Sequence, residues 1–295
     1  MSRKFDTLIK GGDYFEGVRW HDGRWYASDA LAGIVFAVVE SGVREDLMQV
    51  EALCSGLGFL PDGSLLVVSM KDRLLLRRDL DGTVHTHADL SAVSPHWIND
   101  MIVDAQGRAW VGTIGFAIAE GADPTPGDLF RVDPDGSVTV VAGDLWCPNG
   151  VVVTGDGSTL IVAESFGGRL TAFTIGADGS LSERRVLAAF GPTPVPAGAQ
   201  EMVAAAEVSP DGLTIDSQDH VWVADASHQR FVRVSPAGEV VDEIAHPNGT
   251  NVYSCAIGGA DGHRFMMAAA DGFFEAVQGV QGTAELTVTS VEVAR

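Results

Sequence analysis

Little in this sequence suits cross-linking, membrane insertion or polyanion binding. Its three cysteines, an odd number in 295 residues, cannot supply a disulfide framework. No apolar run approaches the ~18 residues of a membrane span, and the opening MSRKFDTLIKGG lacks the apolar core of a secretory signal. Basic residues are scarce: 19 Lys and Arg stand against 40 Asp and Glu, for a formal charge of −21. A phosphate backbone or an anionic bilayer would be repelled, which excludes nucleic acid and membrane as partners. A small-molecule partner and a cytoplasmic location are the expectations that remain. There is also no Gly-x-Ser-x-Gly elbow, no His-Glu-x-x-His helix and no dinucleotide fingerprint.

Glycine is plentiful instead, with 35 residues, many in Asp-Gly pairs such as Asp62-Gly63, Asp81-Gly82, Asp135-Gly136, Asp156-Gly157 and Asp178-Gly179. Asp-Gly between two apolar runs predicts a hairpin, here of the primed-turn type that needs positive φ. One phrase recurs six times: a polar residue, an apolar strand, a tight turn and a second apolar strand. The copies open at Glu16, Ser55, Asn99, Asn149, Asp211 and Tyr253, so successive starts lie 39, 44, 50, 62 and 42 residues apart. That spacing, with a second hairpin after each copy, predicts an all-β chain. The expected fold is a six-bladed β-propeller of four-stranded antiparallel blades, one domain over 1–295. The first strands, of the type GVVVT, are apolar and small enough to crowd the axis. The N-terminal FDTLIKGG and C-terminal AELTVTSVEVA are expected to share the last blade and close the ring. Two stretches interrupt the rhythm, a Pro- and Ala-rich insertion at 191–210 and a shorter one at 115–127. Both are expected on the face where the opening residues converge, the longer one lying over it.

A ring brings equivalent positions together on its axis. Glu16, Asn99, Asn149 and Asp211 then supply two carboxylates and two amide oxygens to one mouth. Hard oxygen donors balancing two charges favour one divalent cation, Ca²⁺ first, then Mg²⁺ or Mn²⁺; Zn²⁺ more often meets His or Cys. His96 and His228 are secondary candidates for proton transfer, because histidine titrates near neutral pH. Cys54, Cys147 and Cys255, each within two residues of an opening position, are read as small apolar fillers.

These residues resemble the regucalcin/gluconolactonase (senescence-marker, luciferin-regenerating-enzyme-like) family of six-bladed propellers. The resemblance rests on Glu16-Gly17 before Arg19-Trp20 and Ser28-Asp29, and on Asn99-Asp100-Met101 with Asp104 to Gly107. It continues through Pro148-Asn149-Gly150 with Ala163-Glu164-Ser165, and Pro210-Asp211-Gly212 with Trp222 to Ala224. The family implies a catalytic divalent metal on the Glu, Asn, Asn, Asp set, lactone hydrolysis, and Asp211 as general base. Related propellers hydrolyse phosphotriesters, and some relatives are argued to bind calcium without turnover; both stay open as alternatives. Animal members carry an arginine two residues before the Asn99 position, where this chain has Trp97. With Trp97, His96, Phe116, Trp146, Phe166 and Tyr253 expected to frame the mouth, the expected substrate is a lactone or ester less polar than gluconolactone.

Overall fold

The computed structural model describes residues 3–192, 195, 197–273 and 282–295. Six four-stranded antiparallel sheets stand around a central axis as a six-bladed β-propeller. The blades span 15–49, 54–89, 98–145, 148–189 and 210–245, and the sixth combines 251–290 with 6–12. In that sixth sheet the N-terminal strand Asp6–Gly12 pairs with the C-terminal strand Ala284–Ser290, closing the ring as the sequence led us to expect. The innermost strands are Phe15–His21, Cys54–Phe59, Ile98–Val103, Pro148–Val153, Pro210–Ile215 and Asn251–Gly258. Each packs on the next, and the sixth returns to the first.

Small residues make this crowding possible. A Cβ on Gly56 would stand 2.4 Å from the Met101 nitrogen, and one on Gly150 would stand 2.5 Å from the Asp211 carbonyl. Farther out the space between blades widens and large side chains fill it: Trp25, Trp110 and Trp222 are all buried in inter-blade cores. Burial of each such aromatic or aliphatic side chain contributes roughly 1.5–3 kcal/mol.

One hairpin turn, Asp22-Gly23 between the paired His21 and Arg24, has positive φ at both residues, 43° and 75°, as the primed type requires, whereas a recurrent group of the others differs in a regular way. In Leu60–Ser64 the Gly63 N–H donates to the Leu60 carbonyl and the Leu60 N–H to the Ser64 carbonyl. The same pair of bonds recurs at 79–83, 104–108, 133–137, 176–180 and 235–239. This is a three-residue loop whose glycine alone takes positive φ, +85° at Gly63. The aspartate before it accepts the N–H two residues on, as Asp62 does from Ser64 at 2.9 Å and Asp81 from Thr83 at 2.9 Å. Those bonds, preceded at Asp135 and Asp178 by the hydroxyls of Ser137 and Ser180, favour the ionised form and hold the carboxyls of Asp62, Asp81, Asp135, Asp156 and Asp178 below the ordinary range. Much of the acidity of the chain is therefore turn chemistry. Among the described residues no helix is long and apolar enough to cross a membrane.

Candidate active site on the propeller axis

Strand pairing breaks at one repeated place. The register shifts between Glu16 and Arg19, Cys54 and Leu57, Ile98 and Met101, Pro148 and Val151, Pro210 and Leu213, and Val252 and Ser254. Every opening residue sits at or inside one of these bulges. A bulge leaves a residue outside the ladder and re-aims its side chain. Here it turns the opening residue of a blade toward the axis.

The chain leading into the bulges is pinned from below. A buried carboxylate ends the second strand of three blades and accepts backbone N–H groups ahead of the opening residue. Asp29 takes those of Asp13 and Tyr14, Glu164 that of Trp146, and Asp225 that of Ser209, at 2.9–3.2 Å. Hydroxyls tie neighbouring blades together: Ser28 Oγ donates to the Ser55 carbonyl at 2.6 Å, and Ser165 Oγ to the Pro210 carbonyl at 2.7 Å.

Glu16, Asn99, Asn149 and Asp211 line a single axial cavity of about 360 Å³. The fifth opening residue, Ser55, supports them by donating its hydroxyl to Glu16 Oε2 at 2.6 Å. Tyr253, the sixth, lines the wall with Phe166, Met70, Ile114 and Phe273. The Asp100 carboxylate, next to Asn99 but not lining the cavity, is already engaged, by Arg19 Nη2 at 2.9 Å and the Met101 N–H at 2.8 Å.

Burial pushes the Glu16 carboxyl up to about 7, against the hydrogen bond from Ser55 and helped by the nearby Asp100 charge. Asp211 is driven well above the carboxylate range by burial, then by the charges of Glu16 and Asp100, although Asn149 and the Gly212 N–H bond to it. Asp211 Oδ1 is buried without a hydrogen-bond partner among the described residues. No Lys, Arg or His is among the described residues lining the cavity. A buried carboxylate raised further by the charge of Glu16, an orphaned carboxylate oxygen and two amides suit a hard divalent cation, whose charge would offset theirs. Among the described residues no cluster of three or more His, Cys, Asp or Glu side chains could hold a metal. The axial donor set falls outside that pattern because half of it is asparagine.

The remaining candidates are distributed unevenly. Trp97 and Phe116 line a second cavity beside the axial one. Trp146 and His96 line neither; Trp146 backs the wall within the core cluster around Phe116 and Phe166, while the His96 carbonyl accepts from Ser94 Oγ. His228 lies with Ser227 and Asp225, but both neighbours meet its Nδ1, so the trio lacks the two-sided imidazole of a nucleophilic triad. The three cysteines are free and buried; Cys147 lines the cavity, and burial pushes the Cys54 thiol up to about 12.

Sequence reasoning missed Tyr14, Gln200 and Phe273. Tyr14 is two residues from Glu16; its hydroxyl bonds that of Tyr253, its ring lies 4.6 Å from the Tyr253 ring, and Phe273 meets its edge at 5.3 Å. The position two before an opening residue was the available signal. Gln200, Val203 and Ala204 come from the helix Ala199–Ala205 of the 191–210 insertion and reach the same cavity.

Fold and site together define a six-bladed propeller with an acidic, oxygen-donor cavity on its axis. The family profile for the SMP-30/Gluconolactonase/LRE-like region matches residues 15–271, and the chain belongs to that family. It is 28% identical over 264 residues to pentonolactonase XacC of Haloferax volcanii, covering 88% of this chain and 82% of that one. It is 30% identical over 149 residues to a 6-deoxy-6-sulfogluconolactonase of Pseudomonas putida, covering 50% of this chain and 46% of that one. A solved luciferin-regenerating enzyme superposes with a TM-score of 0.80 at 20% identity, over 99% of this chain and 97% of the other.

Proposed function

We propose that this protein is a divalent-cation-dependent lactone hydrolase acting on a lactone less polar than gluconolactone, with the whole chain working as one propeller domain. Family membership and two lactonase relatives support the reaction class. One observation carries the cation: among the described residues, Glu16 and Asp211 share a cavity with no lining Lys, Arg or His to neutralise them, and Asp211 Oδ1 has no hydrogen-bond partner. Glu16, Asn99, Asn149 and Asp211 would hold the ion, Ca²⁺ by donor hardness. When bound it would polarise the lactone carbonyl and favour the developing oxyanion.

Opening the ring requires water oxygen to bond the carbonyl carbon, the ring C–O bond to break, and the water's proton to reach the departing alkoxide. Asp211 takes that proton and passes it on, as a positioned general base then acid. Ser55 orients Glu16, and Asn149 and the Gly212 N–H orient Asp211. The apolar walls around Phe166, Tyr253 and Phe273 keep bulk water from the floor. They also offer few partners to sugar hydroxyls, each of which costs about 1–3 kcal/mol if buried unpaired. Two polar wall residues, Gln229 and Asn251, already bond one another at 2.7 Å.

The test is acid release from a panel of lactones, aryl esters and a phosphotriester, with chelated and Ca²⁺-reconstituted protein. Lactones should open only with the cation, and Glu16→Gln should weaken cation binding and remove most activity. Full-rate turnover by metal-free protein would overturn the cation. Hydrolysis of the phosphotriester alone, or tight Ca²⁺ binding without turnover, would overturn the lactone.

A further inference from the structure

The second cavity, of about 430 Å³, lies outside the hydrolytic machinery. It is built by the two stretches that break the repeat. Phe116, Ile118 and Ala122 come from the 115–127 excursion, Gln200 from the 191–210 insertion, and Trp97 from the turn before Asn99. Ile118, Gln200 and Phe273 line both cavities, so these side chains form the partition. Gln200 is exposed, and Ile118 and Phe273 are only half-buried. A rotamer change at such positions needs no rearrangement of the core.

The wall chemistry is selective. Indole, phenyl and aliphatic groups dominate, and Phe116 is fixed from behind by an edge contact with Phe166 at 5.5 Å. Among the described residues lining this cavity there is no Lys, Arg or His, and the one charged side chain is that of Glu201. The Lys71 ammonium stands 5.2 Å over the Trp97 ring but is not among the described lining residues, so an anionic group inside would meet Glu201 as the charged wall residue, whereas an apolar chain would leave water for an apolar surface.

We infer that this annex receives an apolar arm of the substrate, an alkyl or aryl substituent on the lactone ring, while the ring lies over the axial floor. The inference rests on the lactone-hydrolase reading and narrows its substrate to neutral lactones bearing such an arm. Trp97 and Phe116 become specificity determinants, acting on the arm and not on the reacting carbonyl.

The test uses one δ-lactone ring carrying a methyl, a pentyl, or a pentyl arm ended by a carboxylate, assayed on the Ca²⁺-loaded full chain. Each methylene moved into an apolar site gives roughly fourfold in kcat/KM, so pentyl should exceed methyl by at least tenfold and the carboxylate should abolish the gain. Ala122→Phe and Ala199→Phe, made separately and checked for native circular dichroism and melting, fill the annex. Either should cut the pentyl-to-methyl ratio at least tenfold. An active enzyme with a flat arm-length profile, or unchanged ratios in both folded variants, overturns the annex and leaves lactone hydrolysis standing. If no lactone opens, a bromine-tailed alkanol supplies the separate measurement. Quenching lost in Trp97→Phe supports the apolar site while the hydrolase reading falls; no Trp97-dependent quenching overturns both.

Discussion

At the residue scale the decisive pair is Glu16 and Asp211. Both carboxyls bind protons more tightly in the folded chain than in the unfolded one, Glu16 near 7 against an ordinary value of 4.5. A group raised on folding contributes stability below its unfolded value, and that contribution is lost as pH rises through the folded one. Metal-free protein should therefore melt at a lower temperature at pH 8 than at pH 5, with the loss concentrated between about 4.5 and about 7. Glu16→Gln should flatten that slope. Added Ca²⁺ should raise the melting temperature far more at pH 8 than at pH 5, because protons and cation compete for the same oxygens. Differential scanning calorimetry across pH, with chelator and with Ca²⁺, reads all three; a slope that is the same in the Gln variant would locate the linkage elsewhere. The meeting of Glu16, Asn99, Asn149 and Asp211 in one cavity was legible in the sequence because repetition places equal positions together. Tyr14 and Phe273 were not, because Tyr14 stands two residues ahead of the repeated phrase and Phe273 lies past the end of its last copy.

At the scale of elements, the bulge and the glycine beside it form one device. The bulge turns Asn149 toward the axis, and Gly150, with no Cβ, lets the neighbouring strand at Asp211–Leu213 come within contact. The alternating apolar pattern announced each strand but is silent about a one-residue slip, so the bulges could not be read from it. The Asp-Gly pairs were legible as hairpins, yet loop length alone separates the primed two-residue turn at Asp22-Gly23 from the three-residue loops at Asp62-Gly63, Asp81-Gly82, Asp135-Gly136 and Asp178-Gly179. Gly150→Ala should destabilise the protein by about 1–3 kcal/mol through overpacking. It should also weaken cation affinity, since the displaced atoms are the Asp211 carbonyl and the Leu213 nitrogen, each 2.5 Å from the new Cβ. Gly157, whose Cβ would meet nothing within 4 Å, is the control, because its φ of +72° leaves only a local backbone cost. Equal losses of cation affinity in the two variants would show that strand spacing at the axis does not set the site.

At the scale of the whole molecule, the site exists only if the ring closes. Glu16 enters from the first blade and Asp211 from the fifth, and the sixth lies between them around the circle. That sixth blade is held by strands from opposite ends of the chain, Asp6–Gly12 on Ala284–Ser290, with Thr7 Oγ1 and Thr287 Oγ1 bonded at 3.1 Å. Lys10 also pairs with the buried Glu285 at 3.2 Å, which His246 and Asn248 approach from the end of the fifth blade. The shared closing blade was legible because the N-terminal segment carries a strand pattern outside the repeated phrase and the C-terminal segment carries a strand after the last copy, each completing the other's blade. The partition between the two cavities was not, because it joins loops from three blades. Removing residues 1–12 should leave the Ala284–Ser290 strand as an open edge and Glu285 without its lysine. The expected result is a lower melting temperature, self-association by light scattering and a loss of Ca²⁺ affinity, although none of the four donors has been touched. A synthetic peptide of residues 1–14 added in trans should restore monodispersity and cation binding together, since both depend on the same closure. Recovery of one without the other would mean that the axial site is organised by its own blades and not by the ring.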